Sequence, residues 1–327
     1  MRAVTFSRNV FIPLSMSCRN RCGYCGFRVD RPHLMKPKEV EELLRKASGA
    51  KEALFTTGER PDEAWREVRD WLVKEGYRDF VDYLASMNQL AIKHGLLPHT
   101  NAGCLSYEEL KKLKPFNASM GLMLEQAVEL ECHSQSPGKK PSVRIKTIKD
   151  AGRLSIPFTT GILIGIGETE YDRLYSLEVI ADIHANYGHI QEVIVQGFRP
   201  KPGTPMQDAR PPSHEELLKA VKAAREILPS DVAVQIPPNL VDDVYPFIKA
   251  GASDLGGISE VTPDYVNPEA PWPSIEELKK RLRGEFYLRE RLPVYPKFVL
   301  LKLYGEAVEW LVERLADGEG YVRGGVA

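Results

Sequence analysis

The 327-residue chain has no long apolar run. Its first apolar stretch, VFIPLSM at 10–16, is far too short to span a bilayer and carries Pro13. Met1 to Arg8 lacks the build of an export signal, so a cytoplasmic protein without membrane contact is expected. Neither charge is in excess. The formal net charge of −1 offers no general cationic field, so no nucleic-acid partner is expected. Low-complexity tracts and literal repeats are missing, and so is a phosphate-cradling P-loop. Cysteine is scarce, at five residues, which excludes a disulfide-built scaffold.

What is present is an alternation of type. Short β-branched or apolar runs recur at 10–16, 52–58, 96–103, 118–124, 158–165, 192–198, 232–238 and 254–259. Between them lie helix-periodic segments at 36–48, 77–95, 107–114, 143–152, 168–188, 213–228, 242–251 and 274–286. Ser213 with Glu216 forms a capping-box pattern, and Gly95 is placed to end a helix. Eight such units predict a parallel sheet with right-handed crossovers. A closed (β/α)8 barrel over 1–291 is the leading topology, with a doubly wound open sheet as the alternative. From 292 to 327 the chain reads as a C-terminal extension, with a helix over 298–318 packed outside. In a barrel, chemistry gathers at the C-terminal ends of the strands. The polar and glycine-rich motifs fall at those ends: CRNRCGYCGF, TTGERP, HTNAGC, Glu125, GIGE and QGFRPKPGTP.

CRNRCGYCGF sets Cys18, Cys22 and Cys25 in the pattern C-x3-C-x2-C. Three thiolates at this spacing can hold three corners of an iron–sulfur cube, and Gly23 and Gly26 let the backbone bend round it. The fourth iron would stay open as a Lewis-acid seat. Arg19 and Arg21 are placed to offset the cluster's negative charge. The plainer readings are a zinc site completed by His33, a disulfide, or a chance grouping. Cys104 and Cys132 have no partner spacing; the first reads as a small buried residue and the second as part of a covering loop. His94, His184 and His189 read as structural or solvated; His99 ends the third strand, with a place at the barrel mouth left open as the less favoured option.

The CNRCGYCGF-type loop, in this position, resembles that of the radical S-adenosylmethionine (SAM) superfamily. The resemblance implies a [4Fe–4S] cluster on Cys18, Cys22 and Cys25 whose open iron chelates SAM. Reductive cleavage would then give a 5′-deoxyadenosyl radical that takes a hydrogen atom from substrate. It also implies SAM contacts from Tyr24, Phe27, Thr57, Gly58, Glu59, Asn101, Glu125, Arg144, Gly161 and Ile164. Among these, Glu59 suits the SAM ammonium, and Arg144 a carboxylate. Thr57 stands where the superfamily's turn has a first glycine. GILIGIGE (161–168) is similar to the adenine-contacting motif, with Glu168 reading as a helix cap.

RNVFIPLSM, LFTTGERP, SPGKKP, VIVQGFRPKPGTPM and above all DLGGISEVTPDYVNPEAPWP (254–273) resemble the deazaflavin-forming branch of that superfamily. The resemblance implies an ammonia-releasing lyase. It would convert 5-amino-5-(4-hydroxybenzyl)-6-(D-ribitylimino)-5,6-dihydrouracil to 7,8-didemethyl-8-hydroxy-5-deazariboflavin, the chromophore of coenzyme F420. The same scaffold leaves open the companion 4-hydroxybenzyl transfer from tyrosine or a menaquinone-pathway reaction. A companion tyrosine–diaminouracil radical enzyme and a one-electron donor such as ferredoxin or flavodoxin are the implied partners. Gln196, Arg199, Asn239, Asp254, Ser259, Thr262 and Asp264 read as strand-end or loop residues able to converge on the substrate, under covering loops at 126–141 and 260–273.

Overall fold

The structure, a computed structural model, describes residues 2–326. Nine parallel strands form its sheet: β1 (Arg2–Ser15), β2 (Glu52–Thr57), β3 (Leu97–Asn101), β4 (Ser119–Gly121), β5 (Phe158–Ile164), β6 (Ile190–Gly197), β7 (Ala233–Gln235), β8 (Asp254–Ile258) and β9 (Phe286–Glu290). Strands β1 to β8 run in sequence order, and β1 pairs with both β2 and β8, so the eight close into a ring. The closed barrel is therefore the topology, and the open doubly wound sheet is set aside.

Around the ring stand α1 (Pro37–Lys46), α2 (Pro61–Ala64), α3 (Arg66–Lys74), α4 (Phe80–Lys93), α5 (Tyr107–Leu113), α6 (Pro141–Arg153), α7 (Glu170–Tyr187), α8 (His214–Ile227), α9 (Tyr245–Lys249) and α10 (Ile275–Arg281). The expected capping box is formed: the Ser213 hydroxyl accepts from the Glu216 N–H and the Glu216 carboxylate from the Ser213 N–H. The main core lies between helices and strands. It takes one parity of each strand, as in Phe158, Ile162 and Ile164 of β5. The other parity, Thr159 and Leu163, faces the barrel interior and lines a cavity there.

The structure corrects several expected boundaries. β1 starts eight residues earlier than read, because its first half, Arg2–Phe6, pairs with an unexpected ninth strand that begins where the expected helix over 274–286 ends. The segment 298–318 is not one helix. It breaks into α11 (Pro296–Leu300), a 3-10 turn and α12 (Glu309–Leu315), with Lys302 in the left-handed region between them. These pieces build a second core in which Leu292, Val294, Phe298 and Leu311 meet Leu97 and Ala118, the N-terminal starts of β3 and β4. The extension thus packs under the barrel at the strand starts, where Arg291 and Pro293 line the cavity from below.

Candidate active site

A cavity of about 370 Å³ runs through the barrel axis from the cysteine loop to the extension. Its mouth is built by the segments after β1, β2 and β4. Cys18, Cys22 and Cys25 all line it, and all three are free thiols. Main-chain donors point at the sulfur of Cys18: the Glu59 N–H at 3.2 Å and the Asn20 N–H at 3.4 Å. The Ser136 hydroxyl donates to Cys22 Sγ at 3.4 Å. Burial raises the Cys18 and Cys25 thiols above their ordinary value, Cys22 adding to the effect on Cys25. The site is therefore one where sulfur gains from a bound cation. Among the described residues, no three His, Cys, Asp or Glu side chains converge as ligands of a single ion would. His33 is not poised to complete a zinc set, since its Nδ1 accepts from the Met16 N–H at 3.0 Å.

The loop is held by the turn after β2. Gly58 sits so close to β1 that a Cβ on it would lie 2.0 Å from Ser17 O. Its N–H donates to Ser15 O (2.7 Å), and the Arg19 N–H donates back to Glu59 O (2.9 Å). Glu59 itself is enclosed. It accepts from Arg19 Nε (2.8 Å) and the Cys104 N–H (2.9 Å), and the Cα atoms of Gly103 and Gly138 press against it. Burial would raise its carboxyl, but the Cys104 N–H, Arg144 and Arg19 outweigh that and hold it below the usual range. Thr57 turns its hydroxyl onto Gly58 O (2.7 Å).

Glu125 follows β4 with a φ of +65°, a left-handed conformation that a non-glycine residue keeps only under constraint. The constraint is β5: the Glu125 N–H donates to Gly161 O and its carbonyl accepts from the Leu163 N–H, each at 3.1 Å. Lys139 and Arg144 face its carboxylate, Lys139 in direct hydrogen bond and Arg144 at 3.9 Å. Burial would raise its carboxyl, but these two cations hold Glu125 below the usual carboxylate range. Arg144 also donates to Gly138 O at 3.0 Å. Tyr24 OH hydrogen-bonds His133 Nε2 (2.9 Å), and Lys139 lies over the Tyr24 ring at 5.9 Å. Asn101 and Phe27 complete the upper wall.

Other expected SAM contacts fall elsewhere. Ile164 points into the helix-side core and Gly161 does not line the cavity, its Cβ position being filled by Ile194 O at 2.3 Å and Met123 Sδ at 2.8 Å. Glu168 ties the turn after β5 by accepting from the N–H groups of Gly165 and Ile166 and from Arg173. Arg19 spends its charge on Glu59 and Glu63 and Arg21 is exposed, so neither is placed to offset negative charge on the cysteines; the partly buried Lys139 is, facing both Cys22 and Cys25. Lys139 lies in SPGKKP, where nothing local separates a lysine turned into the site from a solvated one. Cys104 lends its thiol to Gly138 O, and Cys132 accepts the Gly23 N–H on its carbonyl, so both brace the mouth.

Of the residues read as substrate-facing, Gln196, Arg199, Asn239 and Asp264 line the cavity. Asp264 is held by the Val266 and Asn267 N–H groups and by Asn239. Ser259 and Thr262 do not line it. They hydrogen-bond each other and take the Phe11 N–H, fixing the start of the loop. Asp254 begins β8 instead of ending it and lies at the opposite end of the barrel, forked by Arg291 at 2.7 and 2.9 Å. His99 is likewise a floor residue and not a mouth residue, because its ring meets Ser119, which is bonded to Pro293 O.

The sequence profile of the radical SAM superfamily matches residues 12–180. The chain is 66% identical to the 7,8-didemethyl-8-hydroxy-5-deazariboflavin synthase of Archaeoglobus fulgidus, over 99% of this chain and 100% of that one. It is 56% identical to the synthase of that name from Methanococcoides burtonii, over 98% of each. The chain belongs to the radical SAM superfamily and to its deazariboflavin synthase family. Solved structures share the fold. Methylornithine synthase superposes with a TM-score of 0.66 at 18% identity, covering 86% of this chain and 82% of that one. The HydG maturase of [FeFe]-hydrogenase gives 0.70 at 15% identity, covering 96% and 70%. The radical SAM family implies a [4Fe–4S] cluster and SAM as cofactors, and the thiol-lined, donor-supplied mouth fits a group of that kind.

Proposed function

We propose that this chain is a radical SAM lyase that closes the deazaflavin ring system, converting the 4-hydroxybenzyl–ribitylimino-dihydrouracil adduct to 7,8-didemethyl-8-hydroxy-5-deazariboflavin with loss of ammonia. Near full-length identity to synthases of that name carries the reading. When bound, the cluster and SAM supply a carbon-centred radical able to take a hydrogen atom. Cys18, Cys22 and Cys25 would hold three irons. Glu59, Glu125 and Arg144 would face the amino and carboxylate groups of SAM, and Tyr24, Phe27 and Asn101 its remaining surface.

This chain's own residues do the rest. Lys139 neutralises the thiolate-rich mouth and keeps Glu125 ionised beside the cofactor seat. Gln196, Arg199, Asn239 and Asp264 offer donors and acceptors to the heterocycle. The loop at 260–273 contributes Val266 and Trp272 to the wall and shields the chamber from water, which a reactive radical requires. Lys201, bonded to Asn267 at 2.8 Å and to Glu269, latches that loop to the segment after β6. Among the described residues no helix is long and apolar enough to cross a membrane. The reaction needs a one-electron donor such as ferredoxin or flavodoxin, and a companion tyrosine–diaminouracil enzyme to supply the adduct; a cytoplasmic setting suits both.

The test is anaerobic turnover of the reconstituted protein with dithionite, SAM and the adduct. The expected result is fluorescent deazaflavin with 5′-deoxyadenosine. Turnover of tyrosine plus diaminouracil in place of the adduct, or no 5′-deoxyadenosine from either, overturns the assignment.

A further inference from the structure

The interior of a (β/α)8 barrel is ordinarily filled by layers of bulky branched residues. Here its lower half is hollow and polar. Asn9 of β1, Glu52 of β2, His99 of β3, Glu192 of β6 and Gln235 of β7 line the lower cavity, with Arg291 beneath them. The glycines of β8 make the room: a Cβ on Gly257 would lie 2.1 Å from Asn9 Nδ2, and one on Gly256 would lie 2.1 Å from Gln235 Nε2. The GG of DLGGIS, read from the sequence as part of a strand and as a family marker, is the gap that two amides occupy.

These groups are under-partnered in a consistent way. Asn9 is 1% exposed, and neither its Nδ2 nor its Oδ1 has a hydrogen-bond partner. Leaving a buried amide unsatisfied costs roughly 1–3 kcal/mol, so a resident partner is expected. Glu52 takes one hydroxyl, from Ser7 on Oε2, and no bond reaches Oε1 among the described residues. The Ser119 hydroxyl spends its proton on Pro293 O (2.8 Å). His99 Nδ1 must therefore be the donor in its 2.7 Å bond to Ser119, and Nε2 is left as a bare acceptor. Burial keeps that imidazole neutral, its pKa pushed down to about 3. The arrangement is rich in acceptors, holds a few amide donors, and has a single cation already claimed by Asp254.

That chemistry rejects anions and suits a chain of hydroxyl groups, each able to donate and accept. We propose that the barrel floor is a polyol subsite, in which Asn9, Glu52, His99 and Gln235 hold the unphosphorylated ribityl end of the substrate and set the depth at which the ring system meets the cysteine loop. The proposal rests on the functional reading above, and its test separates the two.

Turnover and KM would be measured for the ribityl adduct, its 6-butylimino counterpart and its ribityl phosphate ester, with wild type, Asn9→Leu and Glu52→Gln. Wild type should favour the ribityl over the butyl adduct by about 100-fold in kcat/KM, two hydrogen bonds at about tenfold each. Asn9→Leu should lose about tenfold on the ribityl adduct through KM and leave the butyl adduct unchanged. Its melting temperature should be unchanged or higher, because an unsatisfied buried amide is removed. Glu52→Gln keeps the shape and should show the same selective loss. Equal losses on both adducts, or a phosphate ester accepted as well as the free ribityl chain, would overturn the subsite. Should wild type fail to turn over any adduct, the functional reading falls while calorimetric binding of 5-amino-6-(ribitylamino)uracil still reads the floor: weaker binding to Asn9→Leu than to wild type supports it, and equal binding overturns it.

Discussion

At the mouth of the barrel each acid has its cation or donor: Glu59 has Arg19 and the Cys104 N–H, and Glu125 has Lys139 and Arg144. At the floor three buried acids, Glu52, Glu192 and Asp254, share the one guanidinium of Arg291. Arg291 forks Asp254 closely and reaches Glu192 only at 3.4 Å, so Asp254 keeps its charge. Burial pushes Glu52 and Glu192 upward, toward the protonated form. The mouth is set with fixed charges, whereas burial at the floor shifts two of its three acids toward their neutral forms. The difference is what the proposed occupants call for: an ionic group at one end of the cavity and an uncharged one at the other.

The largest expected break comes from the mouth. Cys22→Ala should abolish deazaflavin and 5′-deoxyadenosine formation and lower the iron content, with circular dichroism and melting temperature close to wild type. Next, Arg291→Met should destabilise the fold by about 3–5 kcal/mol in denaturant unfolding, because Asp254 is left buried and uncompensated. Arg291→Lys should recover only part, since an ammonium cannot fork. Third, Gly138→Ala would place a Cβ 1.8 Å from Glu59 Oε1. It should cost about 1–3 kcal/mol by overpacking and weaken SAM binding in equilibrium dialysis.

The smallest effect distinguishes the two ends by pH. Glu59 and Glu125 have depressed native values, so their contribution is present above their ordinary value of 4.5 and lost as pH falls through the native one. Glu52 and Glu192 have raised native values, so theirs is fully present below 4.5 and lost as pH rises through the native value. Hydrogen exchange should therefore loosen peptides of the cysteine loop first at acid pH, and peptides of β2 and β6 first at alkaline pH. The same end loosening first in both directions would remove the contrast.

The mouth was more legible in the sequence than the floor, for a physical reason. Cys18, Cys22 and Cys25 form a local pattern, and Gly58 and Glu59 follow a strand where barrel chemistry is expected. Asn9, Glu52, His99 and Glu192 come from four strands and gain meaning only when the ring closes. A signal existed: an acid inside an otherwise apolar strand, as in EALFTT and IQEVIVQG, is costly unless the barrel interior needs it. Asp254 was misplaced although it opens the run 254–259, because an acid beside a family-marking glycine pair was read as substrate-facing, whereas the first residue of a parallel barrel strand lies at the end away from the cysteine loop. The single C-terminal helix over 298–318 failed where periodicity ran on through Lys302 and Tyr304, although tertiary packing under the barrel breaks the segment into short turns.

β1 bonds to β8 and β9 across nearly the whole length of the chain. During synthesis the first strand can pair with β2 early but is made long before β8 and β9 exist. At ordinary elongation rates it waits roughly 15–60 s for residues 286–290 to emerge. Until then the Arg2–Arg8 half of β1 has an unpaired edge, and a ribosome that stalls late leaves an open ring prone to pairing with other nascent chains. Expression yield should accordingly respond to chaperone supply and to slow codons in the last tenth of the message more than to any change near the cysteines.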